Sequence, residues 1–512
     1  EVNDIAAGNT LGLNQQLLAA DGQVGKTVLA VGYVYHQGDA DGTANMKAQI
    51  TSLGAGNTVF VYASGADFVA GNVLEGPIFL GQGEVYVIQN VSTGSIITAS
   101  EGAYGFSQQR RDNRESPMPL LSLALAFTDT FMFAFRNSQN YTGNGSSAVS
   151  EGWIHVVNGP VASEVQLRTG AGAVVQGQSG IQLDPWEYVR LYTDGNQEYR
   201  ITATNPVMAC HNADMGTAPD FYDSRLILPL TNDGITWPRS GQVSALYSGT
   251  IVDYFVNDLA QGQFTVNPGS PVDFDGTTGA TDQDYEPRGA TRVKAFGLLS
   301  AYSGADSSGL EASPLCPVST FTQRIALPLH IRNAGDGGNN GIHLASTVTG
   351  TARLYQWNQG TGTADLVTVN DPSGTPTTEI RLIRRDGTGA EYTATGSFEQ
   401  NHPSSASISA QGAGGTDPGA YDLLGDFLGG YIEVDVPCTC VFNAKQNENG
   451  AVDHTFKGTS GATVVGIHSD NDEQLSYGIT PEAIRAEIRT DTTGLLRRRV
   501  IGSGGTETWE LA

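Results

Sequence analysis

Short apolar runs broken by glycine-rich turns recur along the whole chain. Ser163–Ala173 reads SEVQLRTGAGA, where Val165 and Leu167 alternate with Glu164, Gln166 and Arg168 before the turn. A period of two predicts half-buried strands, and an all-β chain. Equivalent strand-and-turn segments are NTVFVYASGAD at Asn57–Asp67, GTIVDYFVND at Gly249–Asp258 and ARLYQWNQGTG at Ala352–Gly362. A second pattern is an alternating strand, a Gly or Pro break, then another strand. It is found at Ser95–Gln109, Tyr199–Asp214, Thr291–Asp306 and Tyr431–Ala444, with breaks at Gly102, Pro206, Gly297 and Pro437. Pro removes a ladder donor and Gly relaxes the backbone, so either suits a strand that bends or changes sheets. RLILPL at Arg225–Leu230 and RIALPL at Arg324–Leu329 also look alike.

This self-similarity predicts tandem β-sandwich-like modules over residues 20–115, 116–222, 223–320 and 321–450, after an amino-terminal arm at 1–19. The fourth carries Gly/Ser/Thr-rich insertions at Asn401–Gly419. Residues 451–512 break the pattern. There Thr480–Arg489, TPEAIRAEIR, predicts one short helix, with Thr480 as cap and Pro481 in the first turn. The most apolar stretch, Met118–Phe135, has Thr128, Asp129 and Thr130 in its middle. It reads as two buried strands joined by a tight turn rather than a membrane span. The opening EVNDIAAGNT lacks the basic start and apolar run of a secretory signal.

Composition narrows the function. Gly accounts for 65 of 512 residues, and Lys+Arg 27 against Asp+Glu 53 gives a net charge of −26. Few cations argue against a nucleic-acid partner, and the apolar strands argue against a disordered acidic tail. Against that background Arg497, Arg498 and Arg499, flanked by Leu495 and Leu496, form a candidate partner-docking cluster; a solvated cluster is the alternative.

Candidate chemistry is sparse. His36, His155, His211, His330, His343, His402, His454 and His468 make no zinc-hydrolase motif, and there is no G-x-S-x-G elbow or phosphate loop. His211 is read as a structural ring in a slot that holds Tyr302 in the third module. Cys438 and Cys440 lie two apart without a second ligand pair and read as buried thiols, with a metal or disulfide as the alternative. Asp39/Asp41, Asp273/Asp275 and Asp470/Asp472/Glu473 offer oxygen ligands at alternate positions, so calcium is a candidate cofactor beside solvated acidic turns. Trp153, Trp186, Trp237, Trp357 and Trp509 are core residues or, where exposed, sugar-stacking platforms.

The stacked Gly-rich modules, few Cys and Arg-bearing tail look like a virion protein of tailed bacteriophages. Gly180–Asp214, GIQLDPWEYVRLYTDGNQEYRITATNPVMACHNAD, resembles the VrlC-like structural proteins of myoviruses that infect marine cyanobacteria. It is also similar to the β repeat of the amino-terminal region of IgG-Fc-binding protein. The resemblance carries no catalytic residues. It implies a non-enzymatic protein of the tail, baseplate or an appendage, located on the virion and assembled in multiple copies. Its partners would then be other virion proteins and copies of itself, without membrane insertion. The rival readings are a host-surface glycan-binding adhesin or fibre, a bacterial extracellular filament protein, and a polysaccharide-degrading enzyme.

Overall fold

The computed structural model describes residues 27–32, 46–109, 118–123, 127–134, 151–194, 198–214, 222–236, 240–275, 289–303, 313–327, 341–393, 399–409, 419–444, 456–457, 463–464, 473–477, 486–490, 496–501 and 507–511. Their regular secondary structure is nearly all strand, arranged as tandem sandwich-like modules. In each module one central segment belongs to two sheets: Ile96–Ala99 with Ala103–Gln109, Glu198–Asp214, Thr291–Ser303 and Gly430–Ala444. Its first half lies between an opening strand (Thr27–Ala30, Thr128–Ala134, Thr231–Thr236, Thr322–Leu327) and a hairpin strand (Asn57–Tyr62, Ser163–Thr169, Thr250–Val256, Gly350–Asn358). Its second half lies between an inner strand (Met46–Ser52, Glu151–Asn158, Ser240–Ala245, Gly341–Ser346) and a closing strand (Met118–Pro119, Tyr222–Ile227, Ser313–Pro314, Glu473–Tyr477). Each hairpin strand and each inner strand has one further antiparallel partner outside it, except Gly350–Asn358, which pairs with both Thr363–Leu366 and Ile380–Leu382.

The register repeats as closely as the strand order. The hairpin strand last meets the central strand at Ala99, Ala203, Ala295 and Val434. The inner strand first meets it at Ala103, Val207, Leu299 and Thr439. In every module the chain therefore changes sheets over the same few residues. Corner strands of this kind bend or bulge where they cross. The opening strand bulges opposite the crossing in three modules, and a threonine closes each bulge. The hydroxyls of Thr128, Thr231 and Thr322 accept the amides of Thr130, Asp233 and Arg324 at 3.5, 3.1 and 3.3 Å.

Several expectations need correction. RLILPL and RIALPL fall on different strands. Tyr222–Ile227 closes the second module on the second half of its central strand, whereas Thr322–Leu327 opens the fourth on the first half. Met118–Phe135 is no hairpin: Leu121–Ser122 pairs with Thr27–Ala30, and Thr128–Ala134, which contains the supposed turn, pairs with Glu198–Asp214. The register matches Tyr302 with Cys210, and His211 with Ser303. Within Asn401–Gly419, Ser404–Ser409 is a buried strand rather than an insertion. Two of its hydroxyls find partners, Ser405 with Asn257 and Ser407 with His343. The helix expected at Thr480–Arg489 is displaced by strand Ala486–Thr490, while 480–485 lie outside the described residues. Antiparallel pairing of all five of its residues with Leu496–Ile501 outweighs a modest helix propensity. The one α-helix among the described residues is α1, Gly65–Ala70, capped by Ser64 and ended by Gly71 at φ 74°.

The modules close on themselves. Each interface is formed by the hairpin turn or the start of the central strand of one module against the following connection of the next. Between the first and second, Phe68 of α1 meets Trp186 edge-on at 5.0 Å, and Gly94 leaves room for Tyr188. Between the second and third, the Glu198 carboxylate accepts the Gly269 amide at 3.1 Å. Between the third and fourth, the Asn257 side chain binds Ser405 and accepts the Arg385 amide, and His402 Nδ1 meets the Val256 carbonyl at 2.7 Å. Between the fourth and first, Tyr431 and Ala364 close on Gly83, and Trp357 on Gly81. The receiving turn is itself repeated. Gly83, Trp186 and Gly269 share a left-handed backbone, with φ of 81°, 64° and 79°. Trp186 bears the strain of that conformation while its ring packs edge-on against Phe68 and its Cβ and backbone lie against Gly65. The closing strands of all four modules converge. There Leu120, Met208, Cys210, Leu226, Cys316, Cys438 and Cys440 join one buried cluster drawn from every module. The four cysteines form no disulfide, and burial raises the thiols of Cys438 and Cys440.

His155 and His343 occupy one repeated position, opposite Cys210 and Val441; Gln49 and Gln242 stand there in the other two modules. Burial pushes both imidazoles from 6.5 down to about 3, with Arg190 adding to the effect at His155. The folded chain keeps them neutral where the unfolded chain takes up protons. Their contribution is intact above about pH 6.5 and is lost as pH falls toward 3, by up to about 1.4 kcal/mol per pH unit for each histidine. Urea unfolding between about pH 7 and pH 5 should show this loss. The double substitution His155→Gln with His343→Gln should flatten the dependence; an unchanged slope contradicts the assignment.

Candidate functional site

The repeated register lets each module serve as a reference for the others. At the crossing, the residue after Ala99, Ala203, Ala295 and Val434 is Ser100, Thr204, Phe296 and Asp435. In three modules its side chain locks the bend. Ser100, Thr204 and Asp435 accept the hairpin-strand amides of Thr58, Glu164 and Thr351 at 2.8, 2.9 and 2.7 Å. The third module has no such acceptor at that position. Phe296 is 97% exposed and Ile251 stands at the hairpin-strand position. Leu298 and Tyr247 are exposed beside them; the Leu246 amide binds the Leu298 carbonyl, and Thr250 Oγ1 donates to the Tyr247 carbonyl. The third module has thus exchanged a hydrogen-bonded corner for an apolar patch facing water. Exposed apolar side chains gathered at one corner make it a candidate interaction surface.

A second feature lies where the fourth module meets the first. A groove of about 820 Å³ runs between Gly350–Asn358, Thr363–Leu366 and residues 423–428, with Val85 of the first module on its wall. Trp357 lines it, its ring edge held over Gly81. Gln356 Oε1 accepts the Leu428 amide at 3.1 Å, and Asn358 donates to Asp365 at 2.6 Å while accepting the Gly360 amide. Asp426 and Gln359 complete the polar lining, and the half-exposed Leu366, Leu424 and Leu428 its apolar rim. The lining contains no Lys, Arg, His, Cys or Ser.

The residues singled out by sequence are dispersed. Arg497, Arg498 and Arg499 lie on strand Leu496–Ile501, where the strand register sets Arg498 opposite Glu510 and Arg499 opposite Glu487. Leu496 opens that strand, and Leu495 lies outside the described residues. So do Asp39, Asp41, Asp470, Asp472, His36, His330, His454, His468 and Trp237. Asp273 and Asp275 are on strand Val272–Asp275, and Glu473 begins a closing strand. Among the described residues no group of three His, Cys, Asp or Glu comes close enough to hold a metal ion. His155, His211, His343 and His402 are buried; the His211 ring lies 5.2 Å from Phe133. No helix among the described residues is long and apolar enough to cross a membrane. No protein-family model matches the chain, and no curated protein is similar to it.

Asp435→Ala removes the fourth module's lock without opening its core. It should lower unfolding stability by about 0.5–1.5 kcal/mol, the net value of one hydrogen bond. Thr204→Val in the second module should cost a similar amount in a urea melt, and Phe296→Ala in the third should cost less. Equal losses at all three positions would contradict the lock.

Proposed function

We propose that the chain is a non-enzymatic virion structural protein, in the tail, baseplate or an appendage of a tailed phage, and is assembled in multiple copies. The observation that carries this reading is the third-module patch. Phe296, Ile251, Leu298 and Tyr247 expose apolar surface at a corner where the other modules keep a polar lock. Such surface repays exposure only when another surface covers it. A ring of modules packed head to tail gives that patch a rigid support. The buried histidines and thiols are packing groups in this reading, and no hydrolytic activity is expected of them. Residues 451–512, with Arg497, Arg498, Arg499, Leu495 and Leu496, supply the second contact. Their cations suit the acidic surface of another copy, since the guanidinium fork binds carboxylates bidentately.

The double substitution Phe296→Ser with Ile251→Thr restores the residue types of the first module. Sedimentation should show association weakened at least about tenfold, or 1.4 kcal/mol, with the melting temperature unchanged or raised. Reversal of all three arginines to Glu should abolish the salt-sensitive part of association. Association unaffected by both changes would overturn the reading.

A further inference from the structure

Near the junction of the second and third modules lies an arginine pair that lacks the acid its repeat supplies elsewhere. Arg200 and Arg292 hold one repeated position, three residues before Ala203 and Ala295. In the third module the Arg292 guanidinium grips Asp233 with both ends, Nε to Oδ1 at 2.8 Å and Nη2 to Oδ2 at 2.6 Å. The register sets Asp233 opposite Lys294, and the matching pair in the second module is Thr130 opposite Thr202. Arg200 therefore has a threonine where Arg292 has its carboxylate. On the other side, the hairpin strand sets Arg168 opposite Arg200, where the third module sets Phe255 opposite Arg292. The second module thus has one acid fewer and one base more at the same place, and like charges on facing strands repel.

The acids nearby are turned to other partners. Among the described residues neither arginine forms an ion pair. Glu198, two residues earlier on the Arg200 face, is buried and accepts the Gly269 amide at 3.1 Å. Glu164 accepts from Gln166 and Gln182. Arg168 donates to the Gly172 carbonyl and to Gln166, which uses one N–H on each terminal nitrogen and leaves the other. Arg200 is half-buried, with its Nε enclosed and without an acceptor, so its terminal nitrogens are the donors that can meet a ligand. A half-buried charge without a partner costs free energy, which an anion from outside offsets. The third module shows which anion this position takes: a carboxylate, held bidentately in the guanidinium fork.

We infer that Arg200, with Arg168 beside it, binds a carboxylate from outside the chain. The inference is independent of the assembly reading, since none of its residues lies in the third-module patch or in residues 451–512.

Titration calorimetry of the full chain with glutarate and trigalacturonate tests it, with inorganic phosphate and spermidine as comparisons. At least one carboxylate probe should bind, and Arg200→Gln should weaken that binding at least about tenfold. Thr130→Asp places the third module's acid beside Arg200; it should abolish probe binding and raise the melting temperature. Sedimentation of the same variant distinguishes the sources: association weakens if the natural carboxylate is an Asp or Glu of another copy, and is unchanged if it belongs to a small acid. Without ligand, Arg200→Gln should leave the melting temperature unchanged or raised, whereas Arg292→Gln breaks a formed pair and should lower it. Failure of both carboxylate probes, tighter binding of phosphate or spermidine than of either, or binding indifferent to Arg200→Gln and Thr130→Asp would overturn the proposal. So would equal losses of melting temperature at Arg200 and Arg292.

Discussion

The fold depends on one backbone constraint: in each module a single strand must leave one sheet and enter the other within a few residues. On either side of that corner the strand is flanked by partners on both edges, so its backbone groups are satisfied within the ladders. At the corner the ladders end, and hydrogen bonds must come from elsewhere. Thr128, Thr231 and Thr322 provide them from the opening strand; Ser100, Thr204 and Asp435 provide them from the crossing itself. The two inner faces then pack against each other, with residues such as Val165 and Leu167 turned inward and alternating with Glu164, Gln166 and Arg168.

Closure of the ring follows from repetition with variation. The same elements meet at all four interfaces, which is the geometry of a head-to-tail contact whose rotation closes. The chemistry differs at each: aromatic between the first and second modules, a carboxylate on a glycine amide between the second and third, buried amide and imidazole between the third and fourth, and indole on glycine at the closure. Interfaces that differ cannot exchange partners without leaving polar groups unpaired, so each module has one neighbour that fits. Function then appears where the repeat is broken. The third module loses its polar corner, and the second lacks the acid that the repeated arginine meets in the third.

Much of this was legible in sequence. Alternation in SEVQLRT and the breaks at Gly102, Pro206 and Pro437 located strands and corners, because period-two burial and the missing proline donor leave direct marks on residue choice. RLILPL and RIALPL misled because any strand with one buried face reads alike, whichever half of the central strand it joins. SSASIS was hidden by composition. Serines look like loop residues until Asn257 and His343 are brought to them from distant parts of the chain. The capping pattern of α1, Ser64 followed by Asp67 and then Gly71, is present in the sequence, but it is shorter than the helix pattern that starts at Thr480. The patch and groove had no local signal. Phe296 is unusual only against Ser100, Thr204 and Asp435, and those residues become equivalent only through register.

The central claim is that four modules close head to tail, joining Trp357 and Tyr431 to Gly81 and Gly83 across most of the chain. Small-angle X-ray scattering of the monomer tests this directly. A closed arrangement of 512 residues predicts a compact particle with a radius of gyration near 24 Å, about 2.2·N^0.38 Å, and a single-peaked distance distribution. A radius well above about 35 Å, with the several peaks of a linear string of modules, would contradict it.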